Sequence, residues 1–219
     1  CNFMKSHLAT PDQFSDKANR MVNCGADIIY IVDSSGGMLP TEIESLILNI
    51  KSKMPDVTLG FHGHNNLGLG VANALVAFNA GAKIIDVTLH GFGRSAGNTP
   101  TDQFICTLLR QGMNTGIDLI KMMDLGEKYI QPLIRSNGIS SVDTILGLTL
   151  FHSSYMTKIK EYATKYRVDP RELIILISKS KLQNIEENDF EKCAKVLKNE
   201  GKKGRWKELF NYYYGEEQG

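Results

Sequence analysis

The chain has 219 residues, 42% hydrophobic and 22% charged, with a formal net charge of +1. That composition belongs to a globular protein of one large domain, or one domain with a smaller appendage. The near-neutral balance argues against nucleic acid or an anionic membrane as partner, and no apolar run approaches the ~20 residues of a membrane helix.

The chain opens at Cys1 rather than Met, and Phe3 to Lys5 already reads as a short strand; the expectation is a fragment of a longer protein. Thr10-Pro11-Asp12-Gln13 then supplies an N-cap, a first-turn proline and a capping-box glutamine. Phe14, Ala18, Met21 and Val22 follow at helical spacing until Gly25. Ile28 to Val32 is a continuous apolar run, the pattern of a strand buried on both faces. Thr41 to Glu44 opens a second helix with another capping box and the stripe Ile43, Leu46, Ile47, Ile50 and Met54. Val57 to His62 is a third strand, Val71 to Phe78 a third helix closed by Gly81, and Ile84 to Leu89 a fourth strand.

The segment Asn23 to Ile29 is echoed at Asn79 to Ile85, each copy a helix end, a glycine and a buried strand. Repeated strand–helix units imply a parallel sheet, either a barrel or a doubly wound sheet. A closed barrel needs eight strands where four are visible. The expected fold is therefore α/β: residues 1–112 as the last four βα units of a TIM barrel, and 113–219 as a helical C-terminal region. Helical periodicity covers 117–135, 144–166, 170–181, 186–199 and 205–214. The cluster Lys198, Lys202, Lys203, Arg205 and Lys207 is interleaved with Glu200 and Glu208 and reads as a solvated face. No secretory leader is visible, and the scattered Cys1, Cys24, Cys106 and Cys193 read as reduced, mostly buried thiols of a cytoplasmic protein.

The strongest chemical signal is Gly60-Phe61-His62-Gly63-His64-Asn65-Asn66. Alternation puts Thr58, Gly60, His62 and His64 on one face, and Val57, Leu59 and Phe61 on the other. The apolar set belongs under the helices; the small and histidine set lines the barrel interior, with both imidazoles at the C-terminal mouth, where they suit a divalent metal. A pair of hydrogen-bonded core histidines is the plainer alternative. Lys5-Ser6-His7 and Asp33-Ser34-Ser35 follow the first two strands, and Asp86, Thr88 and His90 share one parity. Asp33 serves a substrate or metal site on one reading and a turn or cap on the other. Gly91 to Pro100 is a glycine-rich loop that cradles an anion, presents the Asn98 carbonyl oxygen to a hard metal, or is a plain flexible loop.

The stretches Ile31 to Gly37, Gly60 to Ala80 and Asp86 to Asp102 resemble the pyruvate-handling TIM-barrel metallolyases, the HMG-CoA lyase-like family, and within it the branch acting on 4-hydroxy-2-oxovalerate. Gly116 to Leu119, Met123-Asp124, Gln131 to Leu133, Asp143 to Gly147 and Ser153-Ser154 resemble the C-terminal region of that branch. The resemblance implies His62 and His64 as ligands of Mn²⁺ (or Mg²⁺ or Co²⁺), with Asn98 as a further ligand. It implies Ser34 beside the substrate carboxylate and pyruvate-enolate chemistry on a 2-oxo acid and an aldehyde. It also implies an acylating aldehyde dehydrogenase as partner of the helical region. The family's third ligand, its arginine–aspartate signature and its catalytic base lie on a first barrel strand that this chain lacks. The family's C-terminal tyrosine is replaced by a run in which His152 is the candidate proton carrier. His90 stands where those aldolases have a small residue, and is a candidate for substrate binding.

Two rival expectations accompany this one. One is condensation of acetyl-CoA with a keto acid, as in isopropylmalate or homocitrate synthases. The other is a non-catalytic half-barrel, whose two exposed sheet edges invite pairing with a second copy or aggregation; a homo-oligomer is expected.

Overall fold

A computed structural model of the chain describes residues 1–134 and 141–200. Four parallel strands form one sheet in the order β1-β2-β3-β4: β1 (Asn2–Phe3), β2 (Ile28–Asp33), β3 (Thr58–Gly63) and β4 (Ile84–Asp86). The connecting helices are α1 (Pro11–Asn23), α2 (Pro40–Lys53) and α3 (Gly70–Asn79), and α4 (Thr101–Arg110) follows β4. Strand alternation decides what faces where. Ile29, Ile31, Leu59 and Phe61 are fully buried in one apolar core with Ile43, Ile47 and Ile50 of α2. The opposite, inner face carries Tyr30, Gly60, His62 and Asp86, in neighbouring register positions.

The capping box of α1 is present as expected: the Gln13 amide donates to the Thr10 hydroxyl, and the Thr10 amide to the Gln13 side chain. Helix α2 starts earlier than its sequence suggests, with Pro40 in its first turn and Leu39 as N-cap. Leucine has no side-chain acceptor, so only half the box remains: the Glu42 carboxylate accepts the Leu39 amide at 2.7 Å.

Two strands end early, for identifiable reasons. β1 stops at Phe3 because side chains take over the ladder's hydrogen bonds: the Lys5 amide donates to the Ser34 hydroxyl, and the Val32 amide to the Ser6 hydroxyl, both at 2.9 Å. Lys5 itself is left-handed, at φ 58°. β4 stops at Asp86 because the chain turns to pair with its own following loop: the Thr88 amide donates to the Thr99 carbonyl and the Thr101 amide to the Thr88 carbonyl. The four cysteines are free thiols, as expected, but none is fully buried; Cys1 and Cys24 are exposed, the latter at the α1 C-cap.

The later chain is helical. The stretch expected over 117–135 is α5 (Leu119–Leu125), capped by Asp118 and followed by a π turn (Gly126–Ile130) and a 3₁₀ turn (Gln131–Leu133). The expected 144–166 helix is two: α6 (Ser141–Thr149) and α7 (Met156–Tyr166). Leu150, left-handed at φ 55°, and a 3₁₀ turn at Ser153–Tyr155 separate them. Helices α8 (Pro170–Ser180) and α9 (Glu187–Asn199) complete the described chain; the expected helix at 205–214, and the cluster beyond Lys198, lie outside the described residues. Met122 of α5 still packs in the core under the sheet, whereas Val142 to Leu197 form a second core. Among the described residues no helix is long and apolar enough to cross a membrane.

The two cores meet at a glycine contact. Helix α6 lies so close to the β2–α2 loop that a Cβ on Gly37 would collide with the Gly147 carbonyl oxygen. A Cβ on Gly147 would itself press on Leu67 and Asn66. Gly37→Ala should therefore unseat α6. We expect a loss of about 1–3 kcal/mol in urea unfolding, the usual cost of forcing extra volume into a packed contact; a variant indistinguishable from wild type would mean that α6 does not rest on this loop.

Candidate functional site

His62 lies near the C-terminal end of β3, level with Asp86 on β4. Its Nδ1 is 3.2 Å from Asp86 Oδ2, and the other carboxylate oxygen of Asp86 accepts a 3.2 Å hydrogen bond from the Tyr30 hydroxyl. Tyr30 reaches across from β2 because its register partner is Gly60, where any Cβ would meet the tyrosine ring. Burial, and then the Asp86 charge, push the Tyr30 hydroxyl's pKa upward, which keeps it a donor. This arrangement fixes the His62 ring through Nδ1 and leaves Nε2 to face a ligand. The sequence analysis passed over Tyr30. The available signal was a tyrosine in an otherwise aliphatic strand, on the parity that faces a glycine across the sheet.

His64 follows the end of β3, its ring edge-on to that of His62 with centroids 5.3 Å apart. It is 4% exposed, and its Nδ1 is buried without a hydrogen-bond partner. Burial, followed by the nearby Arg94 and His62, lowers its pKa to about 3, so the ring is neutral at pH 7 with a lone pair to donate. The glycine-rich loop returns to it: His64 and Asn98 form an antiparallel bridge, and the Asn65 amide donates to the Gly97 carbonyl. Asn98 donates its amide nitrogen to the Phe92 carbonyl, while its Oδ1 is buried without a partner. The structure thus brings together His62, His64 and Asn98. Among the described residues no group of three or more His, Cys, Asp or Glu side chains could hold a metal ion. The donors at hand are two imidazoles and one amide oxygen, and the orphaned His64 Nδ1 and Asn98 Oδ1 fit such an ion.

Asp33 takes the turn role of its two readings. Fully buried, it accepts from the Gly37 and Met38 amides at 3.2 and 3.1 Å, and burial raises its pKa to about 6. Ser34, beside it, is buried and holds the Lys5 amide. His90 is placed apart from the pair. With β4 ended at Asp86, His90 adopts a left-handed conformation and loses the parity that grouped it with Asp86. Its ring packs against Gly126, with Nε2 3.9 Å from Glu127.

His152 comes to the site from the helical region. Its Nδ1 accepts the Ser154 amide at 3.1 Å and pairs with the Ser154 hydroxyl, so Nε2, buried and without a partner, carries the ring proton. Burial, then Arg94, Lys5 and His7, lower its pKa to about 4. The same loop that carries Asn98 ties this region down: the Ser95 hydroxyl donates to Asp143 at 2.8 Å, Asn66 donates to Ser95 and to the Asp143 carbonyl, and Arg94 donates to the Ser153 hydroxyl.

Comparison with known proteins accords with this geometry. A 4-hydroxy-2-oxovalerate aldolase of Geobacillus genomosp. 3 is 40% identical over 179 residues, covering 81% of this chain and 53% of that protein. The chain spans about half the length of the curated relatives it matches. An HMG-CoA lyase from Brucella melitensis superposes with a TM-score of 0.53 at 22% identity over 58% of this chain and 47% of that one. The carboxyl transferase domain of Rhizobium etli pyruvate carboxylase superposes with a TM-score of 0.67 at 15% identity over 88% of this chain and 34% of that one, a likeness of fold that takes in the helical region. The fold is accordingly the C-terminal part of a TIM barrel followed by helices, and with the HMGL-like family matching residues 1–128, the chain belongs to that family.

Proposed function

We propose that this chain is the part of a divalent-metal-dependent carbon–carbon lyase that carries two of its metal ligands. The reaction is cleavage or formation of a 4-hydroxy-2-oxo acid through a pyruvate enolate. The observation that carries the reading is the His62–Asp86–Tyr30 chain beside a buried, neutral His64 at the C-terminal ends of parallel strands, where barrel enzymes place their chemistry. The name shared by the sequence relatives supports the same reaction class.

His62 and His64 would hold the ion, Mn²⁺ or a related hard divalent cation, with Asn98 offering its amide oxygen. When bound, the ion would act as a Lewis acid that polarises the keto acid and stabilises the enolate. The remaining roles belong to the chain's own groups. Asp86 orients His62, and Tyr30 steadies Asp86 by donating to its second oxygen. Ser34 accepts the Lys5 amide and keeps its own O–H to donate to a substrate carboxylate. His152, neutral and with Nε2 buried, carries a proton between the site and the helical region.

Calorimetric titration with Mn²⁺ tests the ligand assignment. The His62→Ala/His64→Ala double variant should lose binding altogether, whereas Asp86→Asn should weaken it by about 10–100-fold, as removing a ligand's orienting partner generally does. Binding that ignores both histidines would return them to the role of core residues and remove the metal from the proposal.

The neutral histidines also link folding to pH. His7 and His152 have folded pKa values of about 4, below the ordinary value of 6.5, so the unfolded chain binds protons more readily. Their contribution to stability is complete above pH 6.5 and is lost as pH falls towards 4. Urea midpoints should decline over that window, and His152→Gln should flatten the decline; an unchanged profile in that variant would show that His152 is not held neutral.

A further inference from the structure

His90 stands at the base of the loop that carries Asn98. Leu89, one residue before it, packs against the core under the sheet, and Gly91 to Gly93, directly after it, hold Asn98. The Asn98 backbone amide donates to the Gly91 carbonyl at 2.9 Å, and its side-chain nitrogen donates to the Phe92 carbonyl at 3.3 Å. A Cβ on Gly93 would lie 2.6 Å from that same nitrogen, so the Asn98 side chain rests on the Gly93 backbone. These contacts use the nitrogen and leave Asn98 Oδ1 buried and unpaired, on the residue that bridges to His64.

The direction in which those three residues leave β4 is set at His90. It is left-handed at φ 54° and Gly91 follows at φ 67°, so two such residues in succession turn the chain into the loop. For glycine that conformation is open; for a residue with a Cβ it is uncommon and persists where the surroundings hold it. The surroundings here grip the ring. The His90 side chain is 20% exposed and lies on Gly126, the first residue of the π turn. A Cβ on Gly126 would come within 2.6 Å of His90 Nε2 and 2.8 Å of Cδ2. Nε2 is buried without a hydrogen-bond partner, and Glu127 Oε1 lies 3.9 Å away, beyond hydrogen-bond reach. Shape therefore seats this edge of the ring, in a slot that a glycine leaves open. The slot is itself anchored, since Met122 of the preceding α5 packs in the core under the sheet.

We infer that His90 is a positioning residue for the metal site: its ring, seated on Gly126, fixes the left-handed turn and so the presentation of Asn98 Oδ1 to the ion that His62 and His64 would hold. The inference rests on the metal-site reading above, in which Asn98 offers its amide oxygen, and adds a residue that acts through Asn98 alone. It also makes Gly126 part of the support of the site, although Gly126 belongs to the helical stretch after α4. Glycine at position 90 separates ring from backbone: it adopts the left-handed turn at no steric cost but leaves the slot over Gly126 empty.

The test reads the loop without metal and then with it. In the metal-free chain, hydrogen exchange at the Asn98 amide should quicken about tenfold in His90→Gly and in Gly126→Ala, while exchange along β3 stays as it is. In the His90→Gly background Gly126→Ala should add nothing, since the new methyl group then meets empty space. In calorimetric titration with Mn²⁺, His90→Gly should weaken binding about tenfold, the lower end of the loss when a ligand's supporting partner is removed. Asn98→Ala should weaken it to a similar degree, and the double variant no further, because both changes remove one ligand. The visible absorption of the Co²⁺-loaded chain should shift alike in all three. The milder His90→Asn, whose side chain tolerates the left-handed turn, should fall between wild type and His90→Gly. Full Mn²⁺ affinity in His90→Gly beside a weakened Asn98→Ala would overturn the inference, since the backbone turn alone would then suffice. So would losses that add in the double variant, or Asn98 exchange unmoved by removal of the ring. Mn²⁺ binding that ignores Asn98→Ala would instead sink the amide-ligand reading; the metal-free exchange does not depend on that reading and tests the hold of His90 on the loop by itself.

Discussion

The register between β2, β3 and β4 is the constraint on which the rest of this site depends. Parallel pairing sets Val32, His62 and Asp86 level, and Tyr30 level with Gly60 one pleat earlier. A shift of one residue would turn His62 out of the inner face and send Leu59 and Phe61 in after it. The burial of those two side chains against α2 and its neighbours therefore sets the geometry of the polar face as well as the stability of the sheet. Core and chemistry occupy opposite sides of the same six-residue strand.

Within that frame the imidazoles are specified in different ways. His62 is held by a charge relay that ends in a tyrosine hydroxyl, and remains half-buried. His64 is held by enclosure: it lies beneath the glycine-rich loop, loses its solvation and stays uncharged. The loop can close over it because Gly91 and Gly97 adopt positive φ and lie close enough that a Cβ on Gly97 would strike the Gly91 carbonyl.

Much of this was legible in the sequence, because it follows from alternation and capping. The Thr10–Gln13 box, the existence of β2 and the common face of His62 and His64 all follow from local spacing, although β2 is fully buried on one face only over Ile28 to Ile31. What was not legible required pairing between distant residues. The hydroxyls of Ser6 and Ser34 replace backbone ladder bonds and cut β1 short, and no local pattern announces a side chain acting as a strand partner. The turn of β4 towards its own loop removed His90 from the inner face for the same kind of reason. Tyr30 escaped because an aromatic in an apolar strand looks like core until its partner across the sheet is known to be glycine. The break at Leu150 hid within continuous helical periodicity, since a left-handed residue without glycine leaves no compositional mark.

The loop bearing Asn98 is also the loop that grips the helical region, through Ser95 on Asp143 and Arg94 on Ser153. The two attachments are three and four residues from Asn98 along the same short segment. Seating of α6 and α7 and positioning of Asn98 beside His64 thus depend on one short segment of chain. If a ligand at the histidines alters the grip of this loop on the helices, linkage makes the effect reciprocal: a contact on the helices then alters affinity at the histidines by the same free energy.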